Sequence, residues 1–165
     1  MTTPTPNGRL ISGADGFDLV FTRTLPGSIH DAWASITEPE RTARWIGRWE
    51  GVGRAGETIG LRLGFEDDAP SIEVRVAECD APRKLRVQTT SDENSWDLSV
   101  TLSGAGDRTE VTLVMHKPDL AEVGNVGPGW EYYLDQLVSS VNGTPLPSWE
   151  DCFPAQKEYF EKQVS

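Results

Sequence analysis

The stretch Gly127-Pro-Gly-Trp-Glu-Tyr-Tyr-Leu-Asp-Gln-Leu-Val-Ser-Ser-Val-Asn-Gly143 decides the fold. Its apolar residues recur at helical period and form one continuous stripe, made of Trp130, Tyr133, Leu134, Leu137, Val138 and Val141. We expect the Gly-Pro-Gly at 127–129 to mark the start of a helix and Asn142-Gly143 to stop it. Such a helix is ~20 Å long, about the width of four strands, and is marginal in water by itself. Its stripe must therefore pack on another element.

Alternating apolar and polar residues occupy most of the chain ahead of this helix. Ile59, Leu61, Leu63 and Phe65 alternate with polar residues or glycine, a period-2 pattern that predicts a strand with one apolar face. The same pattern or β-forming composition recurs at 72–76, 85–89, 96–102 and 111–115. Short turns separate these stretches, so we expect an antiparallel meander.

One strand and two short helices come before the meander. Residues 17–25 are rich in β-forming residues, and the spacing then becomes helical over 28–36. Ser28 with an acidic residue three positions on resembles a capping box, and Thr37-Glu-Pro-Glu40 is a second such box that opens a helix through Ile46. The element order predicts an α+β protein in which one long helix lies across a curved sheet.

The composition bounds the organisation of the chain. A length of 165 residues suits one domain. We expect a flexible tail at 1–14, the domain at 15–143 and an extension at 144–165. The extension holds a short helix with Phe153 and Phe160 on one side, and this helix covers either the domain's own surface or a partner subunit.

Charge and cysteine content exclude several classes of protein. The formal net charge is −11, with no basic cluster, so neither nucleic acid nor an anionic membrane is an expected partner. No apolar run approaches the ~20 residues of a membrane span, and the first residues lack a secretion signal. Cys79 and Cys152 lie far apart in the sequence, which indicates a reduced, cytoplasmic protein.

Several patterns look functional but are better explained by structure. Gly51-Val-Gly-Arg-Ala-Gly56 spells a dinucleotide fingerprint, yet a strand pattern follows it where a helix is required, so we interpret it as a turn. The acidic clusters at 66–68 and 91–93 are typical of solvated turns. Arg62 and Arg75 lie on predicted strands, where they either reach solvent or pair with an anionic ligand. We expect no metal, no cofactor and no catalytic constellation.

The chain resembles a known family in three places. Ala32-Trp-Ala-Ser-Ile-Thr-Glu-Pro39, followed by Trp45, resembles the helix pair near the start of START-like (SRPBCC) domains. Gly129-Trp130 with its following leucines is similar to the closing helix of the branch named after the activator of the heat-shock-protein-90 ATPase. His116 sits where that branch often carries a histidine after the last strand. The resemblance spans about residues 15–142. It implies a helix-grip fold, with about six or seven antiparallel strands wrapped around the long helix and an apolar cavity between them.

The resemblance leaves three functions open. The first is a binding module that holds a small hydrophobic or amphipathic molecule in the cavity. The expected wall comprises Trp45, Phe65, Trp96, His116, Trp130, Tyr133, Leu134 and Leu137. The second is a cyclase, dehydratase or hydrolase that uses the same cavity with His116 or a carboxylate as acid or base. The third is a co-chaperone-like or regulatory domain that contacts a protein partner, or a second copy, through the C-terminal extension. Fold alone does not choose among them.

Overall fold

The computed structural model of the protein describes residues 6–13, 16–65, 68, 70–89, 96–153 and 156–164. The first five residues of the expected tail and the acidic clusters at 66–67 and 91–93 lie outside the described residues. Within the described ranges the chain forms one antiparallel sheet and several helices. The strands are β1 Arg9–Gly13, β2 Gly16–Pro26, β3 Trp49–Glu50, β4 Thr58–Arg62, β5 Ser71–Asp80, β6 Lys84–Thr89, β7 Asp97–Ala105 and β8 Arg108–His116. The helices are α1 Ile29–Thr37, α2 Pro39–Thr42, α3 Val123–Asn142, α4 Trp149–Cys152 and α5 Lys157–Glu161.

The sheet has eight strands in the order β1-β2-β8-β7-β6-β5-β4-β3. It is curved and unclosed, and α3 lies against its inner face, which confirms the predicted α+β helix-grip fold. From β3 to β8 each strand pairs with its neighbour in sequence, as expected of a meander. The strand count is one or two higher than predicted. Residues 9–13, assigned above to a flexible tail, form β1 and pair with β2, and the two-residue strand β3 pairs with β4.

The helix α3 buries the predicted stripe but begins earlier than predicted. Trp130, Leu134 and Leu137 are buried, and Gly143 caps the C-terminus with a left-handed φ of 70°. The start at Val123 places the Gly-Pro-Gly of 127–129 inside the helix. A Cβ atom at Gly127 would lie 2.4 Å from Cγ of Phe160. This glycine therefore allows α5 to approach α3 closely, and it does not mark the start of the helix.

The two short helices are capped differently. Ser28 Oγ accepts a hydrogen bond from the amide of Asp31 at 3.2 Å, so the first predicted cap is confirmed. The second is wrong, because the Thr37 hydroxyl donates to the carbonyl of Trp33 at 2.7 Å and the N-cap residue of α2 is Glu38. The predicted helix through Ile46 ends at Thr42, and 43–46 form a turn.

The C-terminal extension packs on its own domain. Phe160 is fully buried, and its ring centroid lies 6.1 Å from that of Phe21 on β2. Gln163 donates to the carbonyl of Gly8 at 3.0 Å and accepts from the amide of Leu10 at 2.8 Å. The sequence allowed this extension to cover either the domain's own surface or a partner subunit, and the contacts described here are with the domain's own surface.

Candidate functional site

A cavity of about 380 Å³ lies between α3 and the inner face of the sheet. The α3 helix supplies Trp130, Leu134 and Leu137 to its wall. The sheet supplies Ile59, Leu61, Val74, Val76, Cys79, Leu85, Val87, Trp96, Leu98, Val100, Val111 and Leu113. The segment from α1 to β3 and the loop after it supply Trp33, Ile36, Thr37, Glu38, Pro39, Thr42, Trp45, Ile46, Trp49 and Gly53. The exposed residues among these, Glu38, Gly53 and Cys79, mark the mouth.

Five of the six tryptophans line this cavity. Trp96 and Trp130 meet edge to face, with ring centroids 5.2 Å apart. The indole N–H of Trp45 donates to the carbonyl of Ser35 at 2.9 Å, and that of Trp49 donates to the carbonyl of Thr37 at 2.7 Å. The last turn of α1 therefore fixes two indoles and satisfies their only polar atoms, so these side chains present apolar ring surface to the cavity.

The polar groups of the wall are few and mostly paired locally. The hydroxyl of Thr37 donates to the carbonyl of Trp33, and that of Thr42 donates to the carbonyl of Pro39 at 3.2 Å. Among the described lining residues, Glu38 is the only charged one, and it lies at the mouth. The arrangement can hold an apolar body by burial. It offers no buried pair of acid and base.

Five of the eight residues predicted to form the wall line the cavity: Trp45, Trp96, Trp130, Leu134 and Leu137. Tyr133 is buried beside Trp130, with ring centroids 5.7 Å apart, but it is not a lining residue. Phe65 is 36% exposed and lies outside the cavity, because β4 ends at Arg62 and the alternation that placed Phe65 inward stops there.

His116 lies on the outer face of the sheet, away from the cavity. Met115 next to it on β8 is buried in the core, and strict alternation points the histidine to the other side. Its Nε2 atom is 2.7 Å from Oγ of Ser99, and its Nδ1 atom is 3.5 Å from the carboxylate of Asp18. His116 therefore belongs to a row of polar side chains across β2, β8 and β7. It cannot serve as the acid or base of the cavity.

The same outer face carries an ion pair between neighbouring strands. Arg86 on β6 donates two hydrogen bonds to Asp97 on β7, at 2.9 and 2.8 Å. These bonds hold the pKa of the Asp97 carboxyl below its ordinary value. Both side chains are about one third exposed, which indicates a surface pair that joins two strands.

Sequence reasoning missed Trp49 as a wall residue. A Cβ atom at Gly47 would lie 1.6 Å from the carbonyl oxygen of Arg62, so only glycine allows the backbone to approach β4 so closely. This approach places Trp45 and Trp49 on either side of a backbone contact with the sheet. The sequence signal for both wall residues was the glycine, Gly47, that lies between Trp45 and Trp49.

A second polar cluster lies where the N-terminal segment meets α3. Glu131 is fully buried, and its Oε2 atom accepts hydrogen bonds from the amides of Asn7 at 2.7 Å and Gly8 at 2.8 Å. Its Oε1 atom pairs with Arg23 of β2 at 2.5 Å. Arg23 also pairs with Asp135, one turn further along α3, at 3.0 Å. This cluster fastens the start of the chain to the long helix.

The Asp135 carboxyl gives the protein a specific pH dependence. Burial raises its pKa above the ordinary value; Arg23 opposes the rise and the Glu131 carboxylate adds to it. A raised carboxyl pKa in the folded state means that stability is lost as the pH rises from the ordinary aspartate pKa through the raised one. We expect Asp135→Asn to remove this loss, so that its stability relative to the parent increases with pH across that window.

Urea unfolding at a series of pH values checks this expectation. Asp107→Asn, which removes one negative charge at an exposed position, is the matched control for the change in net charge. If the Asp135→Asn curve were parallel to the parent's, the assigned shift would be wrong.

A curved antiparallel sheet that grips a long helix around an apolar cavity defines the helix-grip class of domains. Within this class, the family model described as Activator of Hsp90 ATPase homolog 1-like protein matches residues 27–142. The chain belongs to that family, which confirms the resemblance seen in the sequence. No curated protein matches the chain.

Solved structures with the same fold include three informative relatives. CalU16 from Micromonospora echinospora is 21% identical, with a TM-score of 0.75 over 97% of each chain. DynU16, a protein in the dynemicin biosynthetic locus, is 20% identical, with a TM-score of 0.67 over 79% of this chain and 49% of its own. The Aha1 dimer from Colwellia psychrerythraea is 15% identical, with a TM-score of 0.60 over 75% of this chain and 95% of its own. At these identities the likeness establishes the fold.

In the described ranges, no helix is both long enough and apolar enough to cross a bilayer.

Proposed function

We propose that the protein is a binding module for a small hydrophobic or amphipathic molecule, held in the cavity between α3 and the sheet. The observation that carries the proposal is the cavity of about 380 Å³ with its apolar wall, in which five tryptophans join leucine, isoleucine and valine side chains. This size lies in the range of small-molecule sites, ~300–1,000 Å³. Trp45, Trp96, Trp130, Leu134 and Leu137 are the proposed contacts.

Burial of apolar surface drives binding in this proposal. Each 100 Å² removed from water contributes about 2.5 kcal/mol before the costs of association are subtracted. Two of the wall's indoles are fixed by backbone hydrogen bonds, at 2.9 and 2.7 Å, so little side-chain freedom is lost when a ligand enters. Cys79 and Cys152 are both free thiols, as expected of a protein in a reducing compartment. We therefore also propose a cytoplasmic location.

Mass spectrometry of the protein purified from its own host tests the proposal. The protein is measured under native and then denaturing conditions, and we expect a reproducible mass difference equal to the ligand. Equal masses, together with no binding of apolar probes by the purified protein, would contradict a binding role.

Leu134→Trp should fill the cavity and reduce ligand binding by at least tenfold, because the larger side chain occupies the space between α3 and the sheet. Circular dichroism checks that the variant is folded, and titration with the ligand or an apolar probe measures affinity. Leu120→Trp makes the same change at an exposed position outside the cavity and should leave binding unaltered. Equal affinity in a folded Leu134→Trp variant would place the ligand elsewhere.

The enzyme alternative receives less support from the site. It was based on His116 or a carboxylate in the cavity, and His116 lies on the outer face beside Ser99. Among the described lining residues, Glu38 is the only carboxylate, and its side chain is 55% exposed. A carboxylate exposed at the mouth is not enclosed with a ligand in the apolar interior of the cavity. Binding without chemistry is the function that we propose.

An exposed aromatic surface on the C-terminal extension favours a second role, contact with another copy or a protein partner. Trp149 is 39% exposed and stacks on Phe153, with ring centroids 5.3 Å apart. Leu146 nearby is 46% exposed. We propose that this surface forms a homodimer contact, and we expect Trp149→Ser to raise the dimer dissociation constant in sedimentation equilibrium at least tenfold. A parent that stays monomeric at high concentration would contradict this second role.

A further inference from the structure

We propose that the ligand of the cavity is a hydrophobic organic cation, a quaternary or tertiary ammonium group on an apolar body. This inference rests on the proposed binding function and adds the charge of the ligand to it. Three features carry it: the aromatic wall, the sign of the charge at the mouth, and the weak pairing of the carboxylate that provides this charge.

Five of the cavity's lining residues are tryptophans. Leucine, isoleucine and valine form most of the wall and already supply apolar contact, so the indole rings add a further property to it. The indole face is the strongest side-chain partner for a cation, because its quadrupole is negative above and below the ring. Several indoles around one cavity form the kind of cage that binds alkylated ammonium groups.

The only formal charge on the described lining of the cavity is negative. Glu38 is the only charged residue among the described lining residues, and none of these is lysine, arginine or histidine. A ligand carboxylate inside the cavity would therefore find no cationic partner among the described lining residues. The chain's formal net charge of −11 acts in the same direction, since it attracts cations and repels anions over the whole surface.

The carboxylate of Glu38 is available for exchange. Its Oε1 atom is 3.6 Å from Nε of Arg41, and the two side chains are 55% and 44% exposed. An exposed pair of this kind contributes little, so a ligand cation at the mouth can replace the guanidinium. Trp33, which precedes Glu38 by five positions, is half-buried and also lines the cavity.

The cost of removing water from the ligand's ammonium group decides how many alkyl groups that nitrogen should carry. A primary ammonium group is strongly hydrated, and the wall's hydroxyl groups are already bonded to the carbonyls of Trp33 and Pro39. An alkylated ammonium group is weakly hydrated and presents methyl groups to the indole faces. The cavity therefore favours alkylated amines over primary ones.

Three probes of nearly equal shape separate this inference from the proposed function. They are 2-(2-naphthyl)ethyltrimethylammonium, its neutral carbon isostere 2-(3,3-dimethylbutyl)naphthalene, and the anion 3-(2-naphthyl)propanoate. Affinities are measured by quenching of tryptophan fluorescence. We expect the cation to bind about tenfold more tightly than the isostere, and the anion to bind most weakly.

Variants at the mouth give effects of opposite sign. Glu38→Gln should weaken the cation about threefold and the isostere by less, whereas Arg41→Gln should strengthen the cation two- to threefold. Glu40→Gln is the matched control, because Glu40 is exposed, pairs with Arg48 at 3.3 Å and does not line the cavity. Trp33→Phe should weaken the cation more than the isostere, since the phenyl face attracts cations less than the indole face does.

The outcomes are distinguishable. If the isostere binds as tightly as the cation, or more tightly, the cation preference is wrong and the apolar binding module stands. The same conclusion follows if Glu38→Gln weakens both probes equally. If none of the three probes binds, the binding function and the cation preference both fail.

Discussion

Gly127→Ala is expected to lower the free energy of unfolding by about 3 kcal/mol, because the new methyl group has no space. An ideal Cβ atom at this position would lie 2.4–2.5 Å from three atoms at the base of the Phe160 ring. These atoms are close to the backbone of α5 and cannot swing away. Either α5 must move off α3 or both helices must shift.

Gly129→Ala is the matched control in the same helix. Nothing lies within 4 Å of an ideal Cβ atom at Gly129, so alanine there should stabilise the helix by about 0.5–1 kcal/mol. Urea unfolding of the two variants gives the comparison. If Gly127→Ala were as stable as Gly129→Ala, the close packing of α5 on α3 would be disproved. The double variant with Phe160→Leu should recover part of the loss.

Arg23→Met should cost about 3–5 kcal/mol, since it leaves the buried carboxylate of Glu131 without its cation. The arginine is 2.5 Å from Glu131 and 3.0 Å from Asp135, and Glu131 is completely enclosed. The remaining hydrogen bonds, from the amides of Asn7 and Gly8, satisfy only one carboxylate oxygen. We expect the N-terminal segment to detach from α3.

A second substitution distinguishes lost charge pairing from lost packing. Arg23→Met with Glu131→Gln removes both charges but keeps an oxygen that accepts from the two amides, so it should be more stable than Arg23→Met alone. Arg48→Met breaks an exposed pair with Glu40 and should change stability by no more than about 0.5 kcal/mol. A double variant that is no more stable than Arg23→Met would contradict the role assigned to the buried charge.

Periodicity identified the fold because the elements that build the core repeat regularly. The α3 stripe and the alternating strands bury their apolar residues as predicted, since the burial of a regular element follows its own period. The start of α3 was misplaced because Gly and Pro at 127–129 are typical of a helix boundary. The glycine at 127 is instead required by the close approach of Phe160, from a distant part of the chain. Such long-range contacts leave no local pattern.

Periodicity also predicted part of the candidate site, namely the wall residues that lie on regular elements. Trp130, Leu134 and Leu137 on α3 follow their period onto the cavity, and Trp96 reaches it directly before β7. Phe65 lies beyond the end of β4, where alternation no longer applies. His116 was placed by family resemblance, and the pleat of β8 turns it outward. Trp49 depends on the backbone approach at Gly47, which periodicity does not encode.

The position of β2 in the sheet has a consequence for biosynthesis. This early strand pairs with β8, which begins at Arg108, so the first hairpin has no partner on its inner edge until most of the chain has been made. Nascent protein on the ribosome thus exposes an open strand edge throughout translation of the meander, and edges of this kind recruit chaperones or aggregate. The sheet is completed late, when β2 pairs with β8, and the folding rate should be governed by this one pairing of distant segments.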